Sequence, residues 1–248
     1  KNRVKLPNGW HLSPAGRSLP LGDFPLNLAV SRTKKWMAVT NNGQSVQSLQ
    51  LINPATEKEL DRVIVPKSWY GLKFSADEKF LYASGGNDNW ILKYDVSNNM
   101  LKLVDSIVLG KKWPEQISPA GIALHTKRKE MYVVTKENNS LYVIDNGSKS
   151  IRKVIALGAE AYSCVLSPDQ RSLYISLWGG AKVLEYDVRK QEIKRSLTVG
   201  QHPNELVLTR NGQYMFVANS NDNSVSIVDI RSWKQIEVLN AALFPDAP

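Results

Sequence analysis

Eight residues of this chain carry side chains suited to recognition or chemistry: Trp69, Tyr70, Trp113, Glu115, Tyr162, Trp178, His202 and Asn204. Five are aromatic, and the others supply one carboxylate, one imidazole and one amide. Such a set can stack against a ligand and hydrogen-bond to it, and aromatic side chains are common anchors of binding surfaces. His202 with Glu115 is the one pair among them with the makings of an acid and a base. Nothing else in the chain reads as catalytic. No GxSxG, no Cys–His pairing and no P-loop occurs.

Metal chemistry has little to draw on. His11, His125 and His202 are scattered, with no HxH or HExxH spacing. The GGNDN run at Gly85–Asn89 has too few carboxylates for an oxygen cage. A metal on a central axis would have to use Glu205, Glu160 or Asp23. The expectation is no metal, no cofactor and no catalytic residue. Cys164 is the single cysteine, so no intrachain disulfide is possible. Its YSCVLS context is that of a small buried hydrophobe.

The elements that position these residues repeat about every 42 positions. The phrases WMAVT, LYASG, MYVVT, LYISL and MFVAN place Met37, Leu81, Met131, Leu173 and Met215 at one equivalent site. Six residues before each stands Ser31, Ser75, His125, Ser167 or Thr209. Fourteen residues after the last four stand Asp95, Asp145, Asp187 and Asp229, and Asn53 takes that place in the first copy, at sixteen. A period in this range marks a repeat architecture.

One repeat has a legible grammar. In the fourth copy AYSCVLS is a first strand, SPDQRS a turn, LYISLW a second strand and GGA a tight turn, with glycine available for positive φ. KVLEYDV and IKRSLTVG complete four antiparallel strands. A sheet this small cannot cover both its faces. Stacking such sheets around an axis does, which makes an all-β fold, a β-propeller of four-stranded antiparallel blades. The whole chain, residues 1–248, reads as one propeller domain, with blades at about 20–65, 66–110, 111–158, 159–200 and 201–244. Asp95 to His125 is 30 positions where the other copies have 22, so eight extra residues lie around GKKWPEQISP. RSLPLG at Arg17–Gly22 nearly repeats RSLTVG at Arg195–Gly200, which predicts that residues 1–19 lead into an outer strand of a closure blade. The preferred reading is part of a seven-bladed propeller; a five-bladed ring with an N-terminal extension is the alternative.

In such blades the loop before strand one and the loop between strands two and three share a face. All eight residues named at the outset fall there. The repeated aspartates fall on the other face, where each is expected to bond backbone N–H groups of its own turn. The net charge of +9 sits mainly in turns, as solvated charge, and nucleic-acid binding is not expected. No run of 18 apolar residues occurs, so no membrane-inserted helix is expected.

MYVVT followed by LYVID, MFVANSNDNSVSIVDI and SPDQRSLYIS resemble the YVTN-type β-propeller repeats, also described as YncE-like and surface-layer-protein-like. The opening, LPNGWHLSPAGRSLPLGDFPLNLAVS, resembles secreted bacterial propellers fused to a phosphoesterase of the alkaline-phosphatase superfamily. These resemblances imply an extracytoplasmic, periplasmic or cell-surface location. The lack of a catalytic constellation beside an aromatic-rich loop face points to a non-catalytic binding or scaffold propeller whose partner is a protein, peptide or glycan. Two alternatives stay open: a propeller hydrolase of the lactonase or esterase type with a central metal, and an accessory domain of a fused C-terminal phosphoesterase.

Overall fold

The computed structural model describes residues 4–12, 16–112 and 114–242. Five four-stranded antiparallel sheets follow one another along the chain. Strands β1 (Val4–Lys5) and β2 (His11–Leu12) form a small sheet of their own ahead of them. Blade one is β3 (Pro25–Val30), β4 (Met37–Asn41), β5 (Ser48–Asn53) and β6 (Lys58–Ile64). Blade two is β7 (Leu72–Phe74), β8 (Phe80–Ser84), β9 (Trp90–Asp95) and β10 (Lys102–Val108). Blade three is β11 (Pro119–His125), β12 (Glu130–Thr135), β13 (Ser140–Asp145) and β14 (Ile151–Ala156). Blade four is β15 (Ala161–Leu166), β16 (Ser172–Leu177), β17 (Lys182–Asp187) and β18 (Glu192–Thr198). Blade five is β19 (Pro203–Leu208), β20 (Tyr214–Asn219), β21 (Ser224–Asp229) and β22 (Lys234–Asn240). This is the all-β propeller architecture expected. Arg17–Gly22 carry no strand. Among the described residues no helix is long and apolar enough to cross a membrane.

The turns explain why the pattern repeats. Asp145 Oδ1 accepts from the N–H groups of Gly147 and Ser148, each at 2.8 Å. Asp187 does the same with Arg189 and Lys190, Asp95 with Ser97, Asp229 with Ser232, and Asn53 with Ala55 and Thr56. Four residues after each of these five stands a residue with positive φ: Glu57, Asn99, Lys149, Gln191 and Trp233. None is glycine, so the carboxylate or amide that closes each turn helps hold a backbone conformation that costs most side chains about 1 kcal/mol or more. A bulge recurs near the middle of each β5–β6-type pairing, for example at Val143/Ile144 and Glu185/Tyr186, which adds to the twist stacked blades need.

Four apolar seams join successive blades. Trp36, Ala38, Leu49 and Leu51 face Leu81, Leu92 and Tyr94 between blades one and two. Tyr82 and Ile91 meet Met131, Val133 and Ile144 between two and three. Leu141 and Val143 meet Leu173, Ile175 and Tyr186 between three and four. Tyr174 and Val183 meet Met215, Val217 and Val228 between four and five. Two nearly fully buried carboxylates, Glu130 and Glu185, are each paired with two basic side chains. Glu130 is held by Arg128, Arg152 and the Tyr132 hydroxyl, and Glu185 by Lys194, Arg195 and Ser172. The inner strands pack in sequence, β3 on β7, β7 on β11, β11 on β15 and β15 on β19, with no comparable packing of β19 on β3. Small residues permit the approach: a Cβ on Gly121 would lie 2.8 Å from the backbone of Ser163 and Cys164.

Candidate functional site

Residues just before strand one or just after strand two bring four blades together on one face. Trp69 precedes β7, Lys136 follows β12, Trp178 follows β16 and His202 precedes β19. The Trp178 and His202 rings lie with centroids 4.0 Å apart. Lys136 Nζ is 5.7 Å from the centre of the Trp69 ring and 5.9 Å from that of Trp178. The ammonium therefore bridges two half-buried indoles at the range of a cation–π contact. Lys136 was not among the residues singled out from the sequence. Its place in the loop between strands two and three, where Trp178 also lies, was the available signal.

Local backbone geometry fixes these rings. Trp178–Gly180 form a single 3₁₀ turn, and the positive φ falls on Ala181, not on either glycine as the GGA phrase suggested. Gly179 leaves room for the end of the Glu160 side chain, whose carboxylate occupies the place a Cβ would take. His202 has φ +50° directly before Pro203, and its carbonyl accepts from the Ser220 N–H and hydroxyl at 3.2 and 2.9 Å. A non-glycine residue in this region is held there by its surroundings.

Beside Trp69 is a pocket of about 280 Å³, lined by Gln47 of blade one, Lys67, Ser68 and Asn87 of blade two, and Ser118 and Lys136 of blade three. Among the described residues the Trp69 indole N–H and the Gln47 side-chain oxygen have no hydrogen-bond partner, and both atoms are shielded from solvent. Lys67 pairs with Asp88 at 3.0 Å, and Lys136 stands 3.8 Å from Glu137.

Tyr70 and Tyr162 turn inward instead. Their ring centroids are 4.4 Å apart. Below them a cavity of about 430 Å³ follows the axis, lined by Asn27, Gly121, Ser163, Cys164 and Glu205 among others. Asn204, Glu205 and both tyrosines also border a wider opening shared with Leu28 and Val39 of blade one. Glu205 has surface open to this cavity, but the walls of several blades enclose it, and that burial pushes its carboxyl up to about 7. Its side-chain contact is the Ser163 hydroxyl at 3.5 Å. Cys164 is buried against the same cavity, and burial pushes its thiol up to about 12.

Glu115 lies apart, on the exposed insertion loop, where it accepts from the Lys111 N–H at 2.5 Å. Trp113 lies outside the described residues. The insertion is anchored by Asn89, the last residue of the GGNDN run. Its Nδ2 donates to the carbonyls of Lys111 and Glu115 at 2.6 and 2.7 Å, and its Oδ1 accepts from Ile117 and Ser118 at 3.2 and 3.0 Å. Among the described residues no three His, Cys, Asp or Glu side chains are grouped to hold a metal ion.

A comparison with curated proteins returns no match. Among solved structures, the chain is similar to Kuenenia stuttgartiensis hydrazine synthase, with a TM-score of 0.70 at 17% identity over 89% of this chain and 67% of that one. At that identity the likeness is one of fold. The model of the YNCE-like beta-propeller family matches residues 5–248. Repeat grammar, five stacked sheets and this match agree: the chain belongs to the YNCE-like β-propeller family.

Proposed function

We propose that the chain is a non-catalytic binding propeller of an extracytoplasmic bacterial protein, and that its ligand or partner docks on the face formed by Trp69, Lys136, Trp178 and His202. One observation carries this reading: Lys136 is suspended between two half-buried indoles contributed by different blades, beside a pocket with unpaired polar groups. A rigid scaffold that presents loops of several blades at one mouth is a common basis for recognition. The Trp178–His202 stack extends the platform towards blade five.

The test is to screen the folded chain against immobilised peptides and glycans, with Lys136→Ala and Trp178→Ala alongside. Binding that falls at least about tenfold in both variants, with unchanged melting, supports the reading. Binders that are indifferent to both substitutions would place the function elsewhere.

A further inference from the structure

We infer that the axial cavity below Tyr70 and Tyr162 binds a small zwitterion of amino-acid size, with its ammonium at Glu205 and its carboxylate at Lys73. This site is separate from the loop face and does not depend on that reading. The cavity, of about 430 Å³, is lined by both charged side chains together with Tyr70, Ser163 and Cys164. Such a volume admits many small molecules. The charges are what choose among them.

Glu205 and Lys73 carry opposite charges into one cavity and yet do not pair. Both keep accessible surface. Among the described residues the side-chain contact of Glu205 is the Ser163 hydroxyl at 3.5 Å, and no acid lies within ion-pair distance of the Lys73 ammonium. Their levels in the blades differ. Glu205 stands four positions before Thr209, and Lys73 two before Ser75. Two residues along a strand span roughly 7 Å. The Lys73 ammonium is near enough to the Cys164 thiol to act on it electrostatically, so it is turned towards the cavity. Arg32 lines the same cavity, and its charge also acts on Glu78. Charges facing a space with protein walls act more strongly on an occupant than they would in open water.

A lone amine would gain Glu205 but meet Lys73 and Arg32. A lone carboxylate would gain Lys73 but meet Glu205. A molecule that carries both groups gains at each end. Tyr70 and Tyr162 border the opening that Glu205 shares and Lys73 does not, so aromatic faces are available at the ammonium end. Burial raises both the Tyr162 hydroxyl and the Cys164 thiol, so neither competes as an anion. Burial also lifts the empty Glu205 carboxyl to about 7. An ammonium favours the ionised form, so binding near neutral pH releases a proton.

The experiment is calorimetric titration of the chain at pH 8 with glycine, L-alanine, L-leucine and γ-aminobutyrate, with ethylamine, acetate and inorganic phosphate as comparators. At least one amino acid is expected to bind saturably, and about tenfold or more tighter than any comparator. Glu205→Gln and Lys73→Met are each expected to weaken it about tenfold while the protein stays folded by melting. Lys234→Met, on the exposed strand β22, removes the same charge away from the cavity and is expected to bind like the wild type. Moving from pH 8 to pH 6 should weaken the wild type about tenfold and leave Glu205→Gln unchanged. No amino-acid binding overturns the assignment, as does binding that either cavity variant leaves unaltered. A comparator that binds as tightly as the amino acids, an equal loss in Lys234→Met, or the same pH dependence in wild type and Glu205→Gln also overturns it.

Discussion

Tyr70 and Tyr162 are in ring contact, with centroids 4.4 Å apart, although they belong to blades two and four. The residue at the equivalent place in the blade between them is Ala120, which is completely buried. Each of the three stands five positions before its blade's turn residue, Ser75, His125 or Ser167. A small side chain in blade three therefore lets its two neighbours meet across it and close one end of the axial cavity.

Ala120→Leu should push the two rings apart. Overpacking of this kind costs about 1–3 kcal/mol, and loss of the aromatic contact adds to it. A double-mutant cycle with Tyr70→Leu and Tyr162→Leu should give a coupling of about 0.5–1.5 kcal/mol in the Ala120 background and none in the Leu background. Equal coupling in both backgrounds would show that Ala120 does not set the contact.

Asn89→Ala should free the insertion between blades two and three. Two donated and two accepted hydrogen bonds are lost at a fully buried side chain. The expected destabilisation is about 2–4 kcal/mol. Amide exchange at Lys111–Ser118 should rise more than exchange in β12 or β16. Uniform change across the chain would mean that the asparagine serves the fold generally and not this loop.

Glu205→Gln should alter the pH dependence of stability in a defined direction. Burial raises the folded-state carboxyl to about 7, while an unfolded Glu titrates near ~4.3. The folded chain then holds an extra proton between those values, so this residue makes stability fall as pH rises across that window and level off above it. Arg32 and Lys73 line the same cavity but do not ion-pair with it. The glutamine variant should match the wild type near pH 4 and exceed it in melting temperature at pH 8. Parallel curves for the two proteins across that range would refute the raised carboxyl.

The repeat was legible because strand alternation and turn chemistry are local. Met131, Leu173 and Met215 are core residues of the seams, and Asp145 and Asp187 close their turns, as their spacing implies. Contacts across the axis were not legible. Nothing in the spacing of Tyr70 and Tyr162 says that they touch, since the separation is set by how blades pack. Asn89 resembled any other residue of a polar hairpin, yet its position opposite an insertion gives it four partners. Trp178 was visible as an unusual residue. The shift of positive φ to Ala181 was not, because glycine normally attracts that assignment. Glu205 stood out from the sequence as a carboxylate on an inner strand, but its environment depends on residues from four other blades.

The sequential seams also bear on how the molecule comes apart. Each buried cluster involves two consecutive sheets, so docking energy is divided among neighbours, as in other linear arrays. The row from Trp69 to His202 draws on four of those sheets. It is complete only when three interfaces are closed at once. Peeling away the last sheet would remove His202 from Trp178 while the remaining interfaces persist, so recognition would fail before the rest of the scaffold melts.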